Sequence, residues 1–358
     1  MQETEMPLTR VPTATFLNKS FENYLDKIRF KREEKAVVTT VAGDGTPGLA
    51  NGPALRAKFK SPLDVAVARD GAVYVADGFN SCIRKIRADE VITFAGNGNA
   101  NIKNGIGTEA RFKIPCRLTL DHEENLYLSD AADARIRKIT SGAIVSTYAG
   151  TNTFGFRDGD ASVAQFGQSF GVIVDAQKNI FIADTQNDCI RQISIDRRVK
   201  TIAGAGSRGL LQNSMNCIRF HFLKGLAIDK NGNLFAADFN RIYKISPVGI
   251  VSAFAGAGIK KDPDRLPATI KLSQIEDLVM DEQENIYLSE AHRILKITPD
   301  GSLSIVAGGS PGYKDGDGES AKFNGPKGLS ADKQGNIYVA DSNNNRIRKI
   351  SFHQGSVC

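Results

Sequence analysis

Tryptophan is absent from the chain, and only four histidines, four methionines and five cysteines occur among its 358 residues. The cysteines stand far apart, at 82, 116, 189, 217 and 358, and form no CxxC pair. An odd, scattered set does not make a disulfide framework, so reduced thiols and a cytoplasmic location are the expectation. No apolar run approaches the ~20 residues that a membrane-spanning helix requires, which argues against membrane insertion. The opening stretch, MQETEMPLTR, has no basic segment followed by an apolar core and does not read as a secretory signal. No phosphate loop of the form Gly-x-x-x-x-Gly-Lys-Ser/Thr is present. With 46 basic and 40 acidic residues the formal charge is +6. That excess is mild and spread along the chain, so it permits an anionic partner without demanding one.

What the chain has instead is repetition. The stretch FNGPKGLSADKQGNIYVADSNNNRIRKIS, residues 323–351, contains a Pro-x-Gly-Leu turn, a Gly-Asn turn, an apolar run ending in Asp341 and a second apolar run, Arg346–Ile350. The acid that ends the first run recurs as Asp77, Asp130, Asp184, Asp238, Glu290 and Asp341, at intervals of 51 to 54 residues. The second run recurs as CIRKI, RIRKI, CIRQI, RIYKI, RILKI and RIRKI. A third run ending in Ala-Gly follows the first five copies but not the sixth; its counterpart, Val37–Gly43, stands at the other end of the chain. Each copy offers four short segments rich in Val, Ile, Tyr and Phe, separated by Gly, Asn and Asp turns. Six units of four strands describe an all-β, six-bladed propeller. A fragment displaced from one end to the other suits a closed ring, in which the N-terminal strand completes the last blade and removes a free sheet edge.

The recurring Pro-x-Gly-Leu, Gly-Asn-Ile-Tyr-Val-Ala-Asp, Asn-x-Arg-Ile-Arg-Lys-Ile and Ala-Gly residues resemble the NHL repeat. The resemblance runs over roughly residues 37–351 and implies a propeller whose first strand in each blade lines a central channel. The expected organisation is an N-terminal extension over 1–36, the propeller over 37–351 and a tail over 352–358. Within the extension, Leu17, Phe21, Tyr24, Leu25 and Ile28 share one helical face, which predicts a helix over 15–35.

The repeated acid and arginine read as scaffold: an Asp closing a strand accepts backbone N–H bonds in the turn, and the Arg beyond that turn pairs with it. The Asp-Gly loops read likewise. Asp315, Asp317 and Glu319 alternate as calcium ligands do, but the full calcium-loop pattern is missing and a rigid turn is the expectation. No cofactor or metal is expected.

Function is sought where the repeats break their own rule. In blades one, two, three and six, four residues separate the acid from the next run; in blades four and five only Phe239-Asn240 and Ala291-His292 do. These two blades also lose the second Arg, to Tyr243 and Leu295, and the loops leading into them lack Asp-Gly. A notch on the loop face is expected there, with His221, His292 and Glu290 beside it. Where the inner strands begin, Asp64, Arg117 and Asp277 alternate with glycines, and Lys224, Glu276 and Lys327 stand one residue earlier. Charges gathered at a channel mouth imply mutual salt bridges or a pocket for a polar ligand.

The reading is therefore a rigid monomeric platform for a protein or small polar ligand, on the loop face near blades four and five. Two alternatives remain. The first is a lyase or hydrolase at the channel mouth, using Asp64, Asp277 or Glu276 in acid–base chemistry, or a zinc ion held by His221, His292 and Glu290. The second is RNA binding through Arg208, Arg219, Lys224, Lys260, Lys261 and Arg265, for which stacking aromatics are sparse.

Overall fold

The computed structural model describes residues 34–204, 218, 220–256 and 272–354. Residues Ala36–Phe352 form one compact unit. Of the remaining residues, Glu34, Lys35, His353 and Gln354 alone are described, each at the end of a strand. The helix expected over 15–35 thus lies outside the described residues, except that Glu34 and Lys35 open a strand rather than close a helix.

Six antiparallel sheets follow one another along the chain. Blade one comprises Asp64–Val67, Val73–Asp77, Cys82–Arg87 and Glu90–Gly96, numbered outwards from the channel. Blade two comprises Pro115–Leu120, Leu126–Asp130, Arg135–Ile139 and Ile144–Ala149. Blade three comprises Val172–Val174, Ile180–Asp184, Cys189–Ile193 and Arg198–Gly204. Blade four comprises Leu223–Ile228, Leu234–Asp238, Arg241–Ile245 and Val251–Gly256, and blade five comprises Ile275–Met280, Ile286–Glu290, Arg293–Ile297 and Leu303–Gly308. Blade six takes Pro326–Ala331, Ile337–Asp341 and Arg346–Gln354 from the end of the chain and Glu34–Ala42 from its beginning. Inner strands of successive blades adjoin, and that of blade six adjoins that of blade one.

The second strand of each blade is buried along its whole length. A strand packed on both faces has no solvent side to alternate with, which is why these segments read as unbroken apolar runs. Six apolar clusters fill the seams between neighbouring blades. The loop entering each blade sends one large side chain into its seam: Phe59, Phe112, Phe166, Phe220, Leu272 and Phe323.

The recurring Ala-Gly has a steric cause. Gly96, Gly150, Gly204, Gly256 and Gly308 all have φ between 84° and 110°, and a Cβ on any of them would stand 2.2–2.7 Å from a carbonyl oxygen at the start of the third strand. Gly43 shares this geometry, with φ 101° and the Asn345 carbonyl 2.5 Å from its would-be Cβ. The segment Val37–Gly43 therefore occupies in blade six the place that the final run occupies in the other five.

The Asp-Gly loops of blades three and six and the Asn-Gly loops of blades one and two add a short fifth strand on the outside. Val37 pairs with Asp317 and Val38 with Gly316; equivalent pairs border blades one, two and three. Among the described residues blades four and five have four strands each.

Candidate functional site

The repeated acids and arginines are structural. Asp77, Asp130, Asp184 and Asp341 are each almost wholly buried and accept backbone N–H groups from the loop entering their blade. Arg84, Arg191 and Arg348 reach the same carboxylates at 3.0, 2.9 and 2.8 Å with no exposed side-chain surface. Each guanidinium also lies over a seam phenylalanine and binds the Asn or Asp before the loop glycine, as Arg348 does with Asp315. Asp315 is occupied further by the Thr40 amide and hydroxyl. Among the described residues no three His, Cys, Asp or Glu side chains are grouped to hold a metal.

Glu290, singled out in the sequence, belongs to this scaffold. It is fully buried, accepts the Ser273 N–H at 2.7 Å and binds Arg293 Nε at 2.8 Å. Leu295 has replaced the usual arginine, and a residue two places earlier supplies the guanidinium instead. His292 accepts the Gly325 N–H on Nδ1 at 3.2 Å, and the His221 backbone N–H is donated to Asp238. His221, His292 and Glu290 do not form a ligand set.

Six of the nine sequence candidates do meet, at the channel mouth. The first channel-lining position holds Asp64, Arg117, Gly171, Gly225, Asp277 and Gly328 in blade order. Arg117, from blade two, donates Nη1–H to the Leu63 carbonyl at 2.8 Å and Nη2–H to the Glu276 carbonyl of blade five at 2.7 Å, so it spans the channel. Its Nε lies 3.7 Å from Asp277 Oδ1. Asp64 Oδ2 accepts the Leu118 N–H of the next blade at 2.6 Å, and Asp277 Oδ2 accepts that of Leu329 at 3.0 Å. The glycines leave room for this crowding: a Cβ on Gly328 would stand 1.8 Å from Asp64 Oδ1, and one on Gly171 would stand 2.3 Å from the Lys224 carbonyl.

Burial raises the Asp64 carboxyl well above its ordinary range; Asp277 adds to the push and Arg117 opposes it. Burial likewise raises Asp277, against Arg117. Above this layer Lys224 Nζ donates to both Glu276 carboxylate oxygens at 2.9 Å, and Lys327 Nζ lies 3.4 Å from one of them. Burial would raise Glu276, but Lys327 and Lys224 outweigh it and hold the carboxyl below its usual value. Lys224 is lowered by burial, against the pull of Glu276. On the far side of the mouth the same register holds Leu63, Cys116 and Phe170, packed with Ala131. Burial pushes the Cys116 thiol up to about 12, so it stays protonated. The mouth has one apolar half and one charged half, and its charges are mutually paired apart from Asp64 Oδ1, which has no hydrogen-bond partner.

Two features escaped the sequence reading. Phe222 and Phe239 are 62% and 45% exposed, and both have left-handed backbone, φ 59° and 52°. They flank the Leu223–Asp238 pair of blade four, beside Lys224. At the place matching Phe222 blades one and six put Ser61 and Gly325, and at the place matching Phe239 blade five puts Ala291, all small; the four-residue turns carry their left-handed residue later, at Ser81, Ala134, Asp188 and Asn345. The sequence shows a phenylalanine in a shortened turn, but its backbone state and exposure are tertiary facts. The second is a serine: Gly167-Gln168-Ser169-Phe170-Gly171 fits the Gly-x-Ser-x-Gly pattern of hydrolases. Ser169 follows no strand-to-helix elbow; it is buried, with Oγ 3.3 Å from the Gly167 carbonyl and from Asp184 Oδ1, as part of the scaffold. The basic residues Arg208, Arg219, Lys260, Lys261 and Arg265 lie outside the described residues.

The architecture defines a six-bladed β-propeller. The model of the NHL repeat matches residues 323–350, and the residues of that stretch recur, with substitutions, in each blade. It is 25% identical to mouse (Mus musculus) Teneurin-1 over 91% of its own length and 14% of that protein's. It is 26% identical to NHL repeat-containing protein 2 of Gallus gallus over 66% of this chain and 38% of that protein. The chain thus spans a minor part of each of these relatives. A solved structure of a protein of unknown function from Bacteroides thetaiotaomicron superposes with a TM-score of 0.67 at 18% identity, over 90% of this chain and 77% of that one. No helix among the described residues is long and apolar enough to cross a membrane.

Proposed function

We propose that the ring is a rigid binding platform and that its loop face over blade four, at Phe222 and Phe239, engages an apolar side chain of a protein partner. One observation carries this reading: two large aromatic side chains stand exposed at positions where the backbone is left-handed. That conformation costs an ordinary residue roughly 1–2 kcal/mol. Burial repays only part of the cost, because the two residues stay 62% and 45% exposed, and such expense is characteristic of sites kept for contact with something else. Lys224, two residues beyond Phe222, is the charged side chain next to the patch in sequence.

The channel mouth supports acid–base chemistry less well. Arg117, Lys224 and Lys327 are engaged by Asp277 and Glu276, so none of these three cations is free to assist an acid–base step.

The test is the double variant Phe222→Gly, Phe239→Gly. Glycine adopts this backbone freely, so the unfolding free energy should stay level or rise by up to about 1 kcal/mol. Proteins that co-purify with the unaltered chain, quantified side by side, should be depleted. A folded double variant that retains every partner removes this face from consideration. Retention of RNA that weakens with salt would favour the nucleic-acid reading instead.

A further inference from the structure

The central channel is a second site, separate from the loop face. It encloses about 280 Å³, and all six inner strands line it. Its two ends differ. At the loop-face end Asp64, Arg117 and Asp277 are only 2%, 5% and 6% exposed, and Arg117 bridges the opening. At the other end Val67, Leu120, Ile173, Ile228, Met280 and Ser330 are all partly exposed. The channel is therefore a blind well. It opens on the face away from the loops, its walls combine aliphatic side chains with polar backbone and hydroxyl groups, and its floor is the Asp64–Arg117–Asp277 layer.

That floor sets two acidic side chains against one guanidinium. Asp277 has the guanidinium beside it and the Leu329 N–H. Asp64 has the Leu118 N–H on Oδ2 only. Its Oδ1 is the one oxygen among the described buried side-chain atoms that lacks a hydrogen-bond partner. With the well empty, burial and Asp277 favour the protonated Asp64; a charged donor at Oδ1 favours the carboxylate and meets the open acceptor. Lys224 and Lys327 do not serve it, since both are turned to Glu276.

We propose that the well binds a small primary amine: an ammonium group at the floor, against Asp64, and a short aliphatic body along the channel wall. The volume suits a molecule of a few heavy atoms. An anion is disfavoured by the same two carboxylates. A quaternary ammonium brings charge but no N–H donor for Oδ1.

The experiment uses the whole chain and four probes at matched ionic strength: n-butylammonium, n-butyltrimethylammonium, n-butanol and n-butyrate. Thermal unfolding and titration calorimetry are the readouts. Butylammonium should raise the unfolding midpoint saturably, as a ligand of the native state does. The quaternary amine and the alcohol should bind more weakly, and butyrate not at all. Asp64→Asn keeps an acceptor for the Leu118 N–H and should weaken butylammonium by at least about tenfold. Met280→Trp narrows the open end, leaves the floor untouched and should weaken it as well. The unaltered protein decides the matter even if Asp64→Asn fails to fold. No saturable response to butylammonium, or an equal response to butyrate, overturns the proposal. So does a folded Asp64→Asn protein that binds the amine undiminished.

Discussion

Burying an arginine completely is costly unless most of its donors are met, and the blades meet that cost differently; in blade two Arg137 binds Asn104 and two backbone carbonyls. In blade six Arg348 is pinned by Asp341, Asp315 and two backbone carbonyls. Removing one partner of such a pair strands the other in a water-free site, at a cost of about 3–5 kcal/mol. Arg348→Met should therefore lower the urea midpoint strongly, and Arg348→Met with Asp341→Asn should lower it less. Equal losses in the two variants would mean that the ion pair contributes little. Blade five replaces the arginine with Leu295 and recruits Arg293. Blade four replaces it with Tyr243 and leaves Asp238 without that guanidinium. Burial then carries the Asp238 carboxyl to about 6. A raised value means that the native state holds the proton more tightly than the unfolded chain. Stability from this group is complete below about pH 4 and is lost as pH rises through about 6. Comparing wild type with Asp238→Asn between pH 4 and 7 should show the wild type losing ground over that interval. A constant difference would place the carboxyl at an ordinary value.

Single elements are legible in the sequence when a local rule governs them. The Ala-Gly endings, the Asp at the end of each second strand and the apolar runs follow from backbone sterics, turn bonding and burial, all of which repeat. Glu290 was misread for a related reason: it breaks the pattern in name, and Arg293, two residues from the usual place, restores it in substance. The mouth was half legible. Register alone brought Asp64, Arg117 and Asp277 to one level, but that Arg117 reaches across to blade five depends on the ring's diameter and on three glycines. Those glycines are not interchangeable with others in the chain. Gly328→Ala would drive a methyl into Asp64 and should cost about 2–3 kcal/mol. Gly335→Ala, in an open turn with φ 81° and nothing within 4 Å, should cost about 1 kcal/mol from its backbone alone. Thermal unfolding of the two variants would settle the order; a larger loss at Gly335 would mean that the mouth can yield.

At the scale of the molecule, five blades are made from consecutive chain and one is not. Val38 and Ala42 are fully buried in blade six, and the strand that carries them lies between the last strand of the chain and the Asp-Gly loop. The six seams then form an unbroken circuit, and both faces depend on it: the loop patch over blade four needs a stiff base, and the well needs its wall of six inner strands. The most direct test is deletion of residues 1–43, followed by denaturant unfolding and sedimentation. Without its outer strand, blade six exposes an edge and its seams, and the product should aggregate or lose its cooperative transition. A monomeric product that unfolds cooperatively at an unchanged temperature would contradict the account.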